Sequence, residues 1–216
     1  MIQYDILASG SKGNCTIIQN EIMLDCGVPY KTLRPYIKTL RLILLTHQHA
    51  DHFNTATISL LARERPSLRF LCGTWLAADL RNLGVLKRRM DQMQPSESAA
   101  YSEFASGCKI TMVPAVHNVP NAGYKIYLPN GKKVFYMTDT NEINHISAKD
   151  FDLYLLEANY SEEEIRWRID TKTAAGKYAY EINVLKSHLS REKADEWLRN
   201  NMGPRSTYVY IHQHED

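Results

Sequence analysis

His47-Gln48-His49-Ala50-Asp51-His52 sets three imidazoles and a carboxylate into six consecutive positions, directly behind the apolar run Leu42-Ile43-Leu44-Leu45 and Thr46. Such a run reads as a buried strand. In an extended chain side chains two apart point the same way, so His47 and His49 can bind one ion together. Where the backbone turns towards a helix, Asp51 and His52 are re-aimed at a second position beside the first. Neutral imidazole and carboxylate suit zinc, with iron, manganese or nickel as substitutes. A polar loop that merely contains histidine explains the run poorly, because three of the chain's eight His fall in it.

The rest of the chain reads as alternating strands and helices without a repeat or a low-complexity linker. Ile2 to Leu7 and Ile22 to Asp25 are early strands, with Gly10, Gly13 and Asn14 marking the turn between them. Lys31 to Leu40 reads as a short amphipathic helix. Asn54 is an N-cap for a helix over Thr55 to Arg65, which Pro66 ends. Leu68 to Cys72 is a strand, and Thr74 to Leu83 a helix stopped by Gly84. Val85 to Ser106 has the weakest pattern and is read as crossing the rim of the site. Strands follow at Lys109 to Val113, Tyr124 to Leu128 and Lys133 to Met137, with a hairpin signal at Pro129-Asn130-Gly131. Phe151 to Leu156 is a buried strand, Ser161 to Ile169 and Glu192 to Asn200 are helical, and Tyr208 to Ile211 is the last strand. Further ligands must come from the ends of these strands.

HxHxDH behind a buried strand resembles the signature of the metallo-β-lactamase superfamily. The resemblance implies an α/β fold, the αββα four-layer sandwich, with one or two metal ions at the edge between two sheets. Leu7-Ala8-Ser9-Gly10-Ser11-Lys12-Gly13-Asn14-Cys15, Leu24-Asp25-Cys26-Gly27 and Ser187-His188-Leu189-Ser190 are similar to the small bacterial branch of WalJ/YycJ-like nucleases, itself related to the ribonuclease Z group. On that resemblance His117 is the third imidazole of the first ion and Asp139 the carboxylate between two ions. The last ligand is open by position, since His188, His212 and His214 all lie in the right part of the chain. The ribonuclease Z pattern assigns His212 to the second ion and His188 to the leaving group, with Glu157 holding His188. His145 and His214 are read as solvated.

The resemblance thus implies two divalent metal ions, zinc first, with manganese or iron as substitutes. They are held by His47, His49, His117, Asp51, His52, His212 and Asp139, and the catalytic residues are Asp51, His188 and Glu157. Two such ions can lower the pKa of a bridging water to ~7, so hydroxide would serve as nucleophile in a displacement at phosphorus. The expected function is a metal-dependent phosphodiester hydrolase, a nuclease. Its alternatives are a cyclic-nucleotide phosphodiesterase of the phage anti-defence type, a lactone or thioester hydrolase, and a metal scaffold without catalysis. The expected partner is a nucleic acid or cyclic nucleotide substrate. Arg166, Arg168, Lys172 and Lys177, interleaved with Trp167, Tyr178 and Tyr180, suit a phosphate backbone and stacked bases. They equally suit an ordinary solvated face.

Composition bounds these readings. With 216 residues and 44% hydrophobic content the chain can bury a sizeable core, and one domain over residues 1–216 is expected. No apolar stretch approaches the ~20 residues needed to span a bilayer, and the first residues lack a signal-peptide layout, so no membrane partner and a cytoplasmic location are expected. Cys15, Cys26, Cys72 and Cys108 form no CxxC pair, so neither a disulfide framework nor a thiolate zinc knuckle is indicated. A net charge of +2 is too small to argue for nucleic acid by itself, and a homo-oligomer stays open.

Overall fold

A computed structural model describes residues 1–102 and 107–213. The first sheet is built in chain order from β1 (Tyr4–Ala8), β2 (Cys15–Ile18), β3 (Ile22–Leu24), β4 (Leu42–Leu45), β5 (Arg69–Gly73) and β6 (Met90–Met93). Its first three strands are antiparallel, and β3 to β6 pair in parallel. The second sheet takes β7 (Ser98–Ala100), β8 (Lys109–Ala115), β9 (Asn121–Tyr127), β10 (Lys133–Met137), β11 (Leu153–Glu157) and β12 (Thr207–Ile211), again in chain order. It is antiparallel from β7 to β10 and parallel from β10 to β12.

The two-residue period of a strand sorts each apolar run between two cores. Leu42 and Leu44 of β4 join a middle core with Met112, Tyr124 and Tyr136 of the second sheet. Ile43 and Leu45 face the other way, into an outer core with Ile58 and Leu61 of α1 (Thr55–Glu64) and Leu80 of α2 (Ala77–Asn82). On the far side Phe135, Met137, Tyr154 and Leu156 meet Trp197 and Leu198 of α5 (Arg191–Asn201). There the rings of Phe135 and Trp197 stack with centroids 4.9 Å apart. Three cores between four layers make the expected αββα sandwich. A run that is apolar on both faces, as in β4, is what a strand buried from both sides requires.

Four stretches differ from the sequence expectation. Lys31 to Leu40 is not a continuous helix: a 3₁₀ turn over Tyr30–Leu33 gives way to turns. Pro35 falls in the middle of that stretch and has no N–H to donate to an α-helical ladder. The described part of Val85 to Ser106 holds more regular structure than its weak pattern implies. It supplies β6 and β7, one edge strand for each sheet, and its residues 103–106 lie outside the described part. The helix expected to end at Ile169 runs on as α3 (Glu162–Ala174) and is followed by α4 (Glu181–Ser187), which the pattern had not marked. The strand β2, four residues long and buried on both faces, was also missed. No helix among the described residues is long and apolar enough to cross a membrane.

Candidate metal centre

Six strands end on the same edge of the sandwich. The carboxyl ends of β3, β4, β8, β10, β11 and β12 deliver Asp25, His47, His117, Asp139, Glu157 and His212 to one place, where open α/β sheets commonly carry their sites. Behind β4 the chain turns at once, with the N–H groups of His52 and Phe53 donating to the His49 carbonyl at 2.9 and 2.8 Å. That turn swings Asp51 and His52 away from His47 and His49, and the Asn54 side chain then caps α1 by accepting from the Thr57 N–H. Gly27 presses against this turn so closely that a Cβ there would lie 1.7 Å from the Asp51 carbonyl oxygen. Asp25, Asp139 and His212 all have φ between 52° and 56°, the left-handed conformation that Asp and His tolerate better than most residues. Each strand therefore kinks where it hands over its site residue.

His47, His49 and His117 converge as a first set. His49 Nδ1 lies 3.0 Å from His47 Nε2 and 3.3 Å from His117 Nε2. On two of them the outward nitrogen is occupied: His117 Nδ1–H donates to the Ser187 carbonyl at 2.9 Å, and His47 Nδ1–H donates to the Thr46 hydroxyl at 2.9 Å. In the neutral rings this leaves the inward Nε2 atoms as lone pairs, the tautomer a metal requires. Burial, helped by positive charge on His52, holds the His47 imidazole down to about 2, so it is neutral at working pH.

Asp51, His52 and His212 form the second set, with His52 Nε2 and His212 Nε2 at 3.3 and 3.4 Å from Asp51 Oδ2. Asp139 stands between the two sets. Its Oδ2 is 3.0 Å from His52 Nε2, and its Oδ1 is 3.8 Å from His117 Nε2 and 3.7 Å from His212 Nε2. Convergent imidazole nitrogens and the Asp51 carboxylate in two adjacent groups of three, with the buried Asp139 carboxylate between them, fit divalent metal ions. No other use of so many convergent acceptors is evident among the described residues.

His188 follows α4 and lies beside both sets. Its Nδ1 is 2.7 Å from Glu157 Oε1, and its ring stacks on that of His212 with centroids 5.1 Å apart. Glu157 is fully buried and holds more than the sequence suggested. The same Oε1 is 3.2 Å from His212 Nδ1, while Oε2 accepts the N–H groups of Thr140 at 2.9 Å and Leu189 at 3.3 Å. One carboxylate thus sets the orientation of both histidines.

Every site residue named from the sequence within the described part is brought to this edge. His145 is exposed and in none of the clusters, and His214 lies outside the described residues. Two participants went unassigned. Asp25, fully buried, takes His52 Nδ1–H at 2.8 Å, the Thr46 N–H and hydroxyl at 2.9 Å, and the Tyr136 hydroxyl at 2.8 Å. Asn14 reaches Asp51 Oδ2 at 3.2 Å and His52 Nε2 at 2.8 Å through its amide nitrogen, while its Oδ1 accepts the Gly10 N–H. A charged residue closing the apolar run Ile22-Met23-Leu24 was the signal for Asp25. The basic stretch is not one strip: Lys172 pairs with Glu181 and covers the Tyr180 ring at 4.2 Å, tying α3 to α4, and Arg166 pairs with Glu162.

Without metal the second set holds protons. Burial works against charge on His212, yet the Asp139, Asp51 and Glu157 carboxylates outweigh it and raise its pKa to about 10. Burial likewise opposes charge on His52, but Asp139 and Asp25 raise it. Burial pushes the Asp51 and Asp139 carboxyls up, and their histidine neighbours more than reverse this, keeping both ionised. A raised histidine stabilises the metal-free fold below its unfolded pKa, and that contribution is lost as pH climbs towards about 10. Metal must displace the same protons. Zinc affinity is therefore expected to rise with pH through neutrality, with protons released on binding. Calorimetric titration in two buffers of different ionisation enthalpy measures the release, and identical heats in both would contradict it.

An αββα sandwich carrying this histidine and aspartate cluster on its edge is the architecture of a metal-dependent hydrolase with the metallo-β-lactamase fold. Residues 19–212 match the family described as the beta-lactamase superfamily domain, and the chain belongs to that superfamily. Comparison with curated proteins finds no match. Among solved structures, the metallo-beta-lactamase fold protein YhfI from Bacillus subtilis superposes with a TM-score of 0.73 at 16% identity, covering 100% of this chain and 88% of that one. Human tRNase Z, short form, gives 0.65 at 14% identity over 100% of this chain and 93% of its own. A long-form RNase Z from yeast gives 0.64 at 16% identity, with 99% of this chain covering 37% of that protein. At these identities the likeness speaks to the fold.

Proposed function

We propose that this protein is a metal-dependent phosphodiesterase acting as a nuclease of the WalJ/YycJ-like branch. The observation that carries the reading is the buried Glu157 at 2.7 Å from Nδ1 of His188, a histidine beside the two triads whose Nδ1 is thereby occupied by a carboxylate. His47, His49 and His117 would hold one ion, Asp51, His52 and His212 another, and Asp139 would lie between them. Two divalent ions so held would supply positive charge to the oxygens of a phosphodiester and would bring the pKa of a bound water towards ~7. The ionised Asp51 carboxylate accepts a hydrogen bond from the attacking water and orients it. Glu157 accepts a hydrogen bond from His188 Nδ1–H, which fixes the ring and leaves Nε2 as the atom that delivers a proton to the departing oxygen. Ester and thioester hydrolysis has less need of this extra proton carrier. The names of the two ribonuclease Z neighbours point to the same substrate class.

Purified protein supplied with zinc or manganese is tested against linear DNA, RNA, 2′,3′- and 3′,5′-cyclic nucleotides and a lactone. Polymer cleavage is expected, weakening with salt by a log-log slope of roughly 0.7 to 0.9 per phosphate contact. Turnover of cyclic nucleotides alone, with shallow salt dependence, would move the assignment to a cyclic-nucleotide phosphodiesterase. Turnover of the lactone alone would end the phosphodiester reading, and none on any substrate would leave a metal-binding scaffold.

A further inference from the structure

The loop of residues 9–14, between β1 and β2, takes no part in the proposed chemistry, yet it is built against the metal centre. One side chain closes it on itself. Asn14 Oδ1 accepts the Gly10 N–H at 2.9 Å, Asn14 Nδ2 donates to the Gly10 carbonyl at 3.0 Å, and the Gly13 N–H reaches the same carbonyl at 3.0 Å. The Asn14 carbonyl in turn accepts the Gly27 N–H at 2.9 Å, and a Cβ on Gly13, where φ is 154°, would lie 2.4 Å from the Gly27 carbonyl oxygen. Only glycine fits there. The loop is thus a small closed body wedged beside the turn that carries Asp51.

The bonds that Ser9 and Asn14 make to the metal centre all go to the second set. Ser9 Oγ accepts the His212 N–H at 2.7 Å, the Asn14 N–H donates to the Asp51 carbonyl at 2.6 Å, and Asn14 Nδ2 lies 3.2 Å from Asp51 Oδ2 and 2.8 Å from His52 Nε2. Among the described residues neither makes a hydrogen bond to His47, His49 or His117. The first set has supports of its own, the Thr46 hydroxyl on His47 and the Ser187 carbonyl on His117. Asp25 differs from the loop, because it reaches His52 directly and His47 by way of the Thr46 hydroxyl. His212 depends on such support: its φ of 52° is left-handed, and side chains pin both of its peptide groups, Ser9 the N–H and Asn159 Nδ2 the carbonyl at 2.7 Å. We propose that the loop of residues 9–14 is a clip for the second set alone, with Ser9 and Asn14 as positioning residues, so that the two ions are retained separately and disturbing the clip releases only the second. This rests on the two-ion assignment made above.

Stepwise metal titration tests this without turnover. Zinc is titrated into the metal-free protein against a chromophoric chelator, and cobalt(II) in parallel, since its visible spectrum distinguishes a three-imidazole site from one with a carboxylate. The wild type is expected to take up two equivalents. In Ser9→Ala and Asn14→Ala the first step should keep its wild-type affinity while the second weakens by roughly 10- to 100-fold, the usual effect of losing a group that orients a ligand. Ser9→Thr keeps the hydroxyl and should restore the second step. Ser9→Ala removes a single oxygen, and an unchanged first step in either variant reports that this edge of the sandwich has folded. Variants that weaken both steps alike, or neither, would overturn the clip and leave the two-ion assignment standing. A wild-type protein that takes up a single equivalent would overturn the two-ion assignment and the clip with it.

Discussion

His188→Ala is expected to lower turnover of a nucleic acid by roughly 10²- to 10⁴-fold while metal content stays that of the wild type. The reason is geometric. His188 is turned by its Nδ1 to Glu157, and the proposed ligand triads are filled without it, although it lies close enough to Asp139 and His212 to serve as a ligand instead. Metal analysis beside steady-state kinetics separates the alternatives, because loss of one equivalent of metal would make His188 a ligand and His212 the bystander. A substrate with a good leaving group, such as bis-p-nitrophenyl phosphate, needs little protonation of the departing oxygen and should lose much less activity in the same variant. Glu157→Gln is expected to be less selective, since Oε1 also faces His212.

The second large effect is expected at Asp25, which touches no substrate. Asp25→Ala removes the acceptor of His52 Nδ1, of the Thr46 N–H and of the Tyr136 hydroxyl, all buried. Removing one member of a buried ion pair costs about 3–5 kcal/mol, and that loss is expected in denaturant unfolding of the metal-free protein. Loss of the group that orients a ligating histidine typically weakens metal binding by roughly 10- to 100-fold. Asp25→Asn keeps an acceptor and the side-chain volume, so it should fold better than the alanine variant and still bind zinc less tightly. Competition titration with a chromophoric chelator reads the affinity. An unchanged zinc affinity in the asparagine variant would show that His52 needs no such support.

What the sequence revealed about this site depended on how local each signal was. HxHxDH is legible because six adjacent residues carry both the strand end and the donors, and the turn at His49 does what their spacing implies. His117, Asp139 and His212 are single residues behind ordinary strands, and family resemblance picked them out. Asp25 and Asn14 stayed unassigned because their partners, His52 and Asp51, lie 27 and 37 residues away, a separation that no local pattern encodes. The fold was legible to a similar degree. Runs apolar on both faces marked the central strands, whereas the edge strands β6 and β7, with half-exposed positions, lack that pattern. Lys31 to Leu40 has the apolar spacing of a helix, but Pro35 within it cannot donate to the ladder that spacing implies.

Each sheet is one uninterrupted stretch of chain, β1 to β6 and then β7 to β12. During synthesis the first stretch leaves the ribosome with His47, His49, Asp51 and His52 but without the imidazoles and carboxylates that complete either triad. A nascent chain at that stage offers an ion only half a coordination sphere. The first set can close once His117 has followed β8, but the second must wait for β12, which brings His212. Once both stretches are joined, metal held by these residues would cross-link them, and metal loading should be registered as resistance to pulling the two layers apart rather than as extra stability within either one.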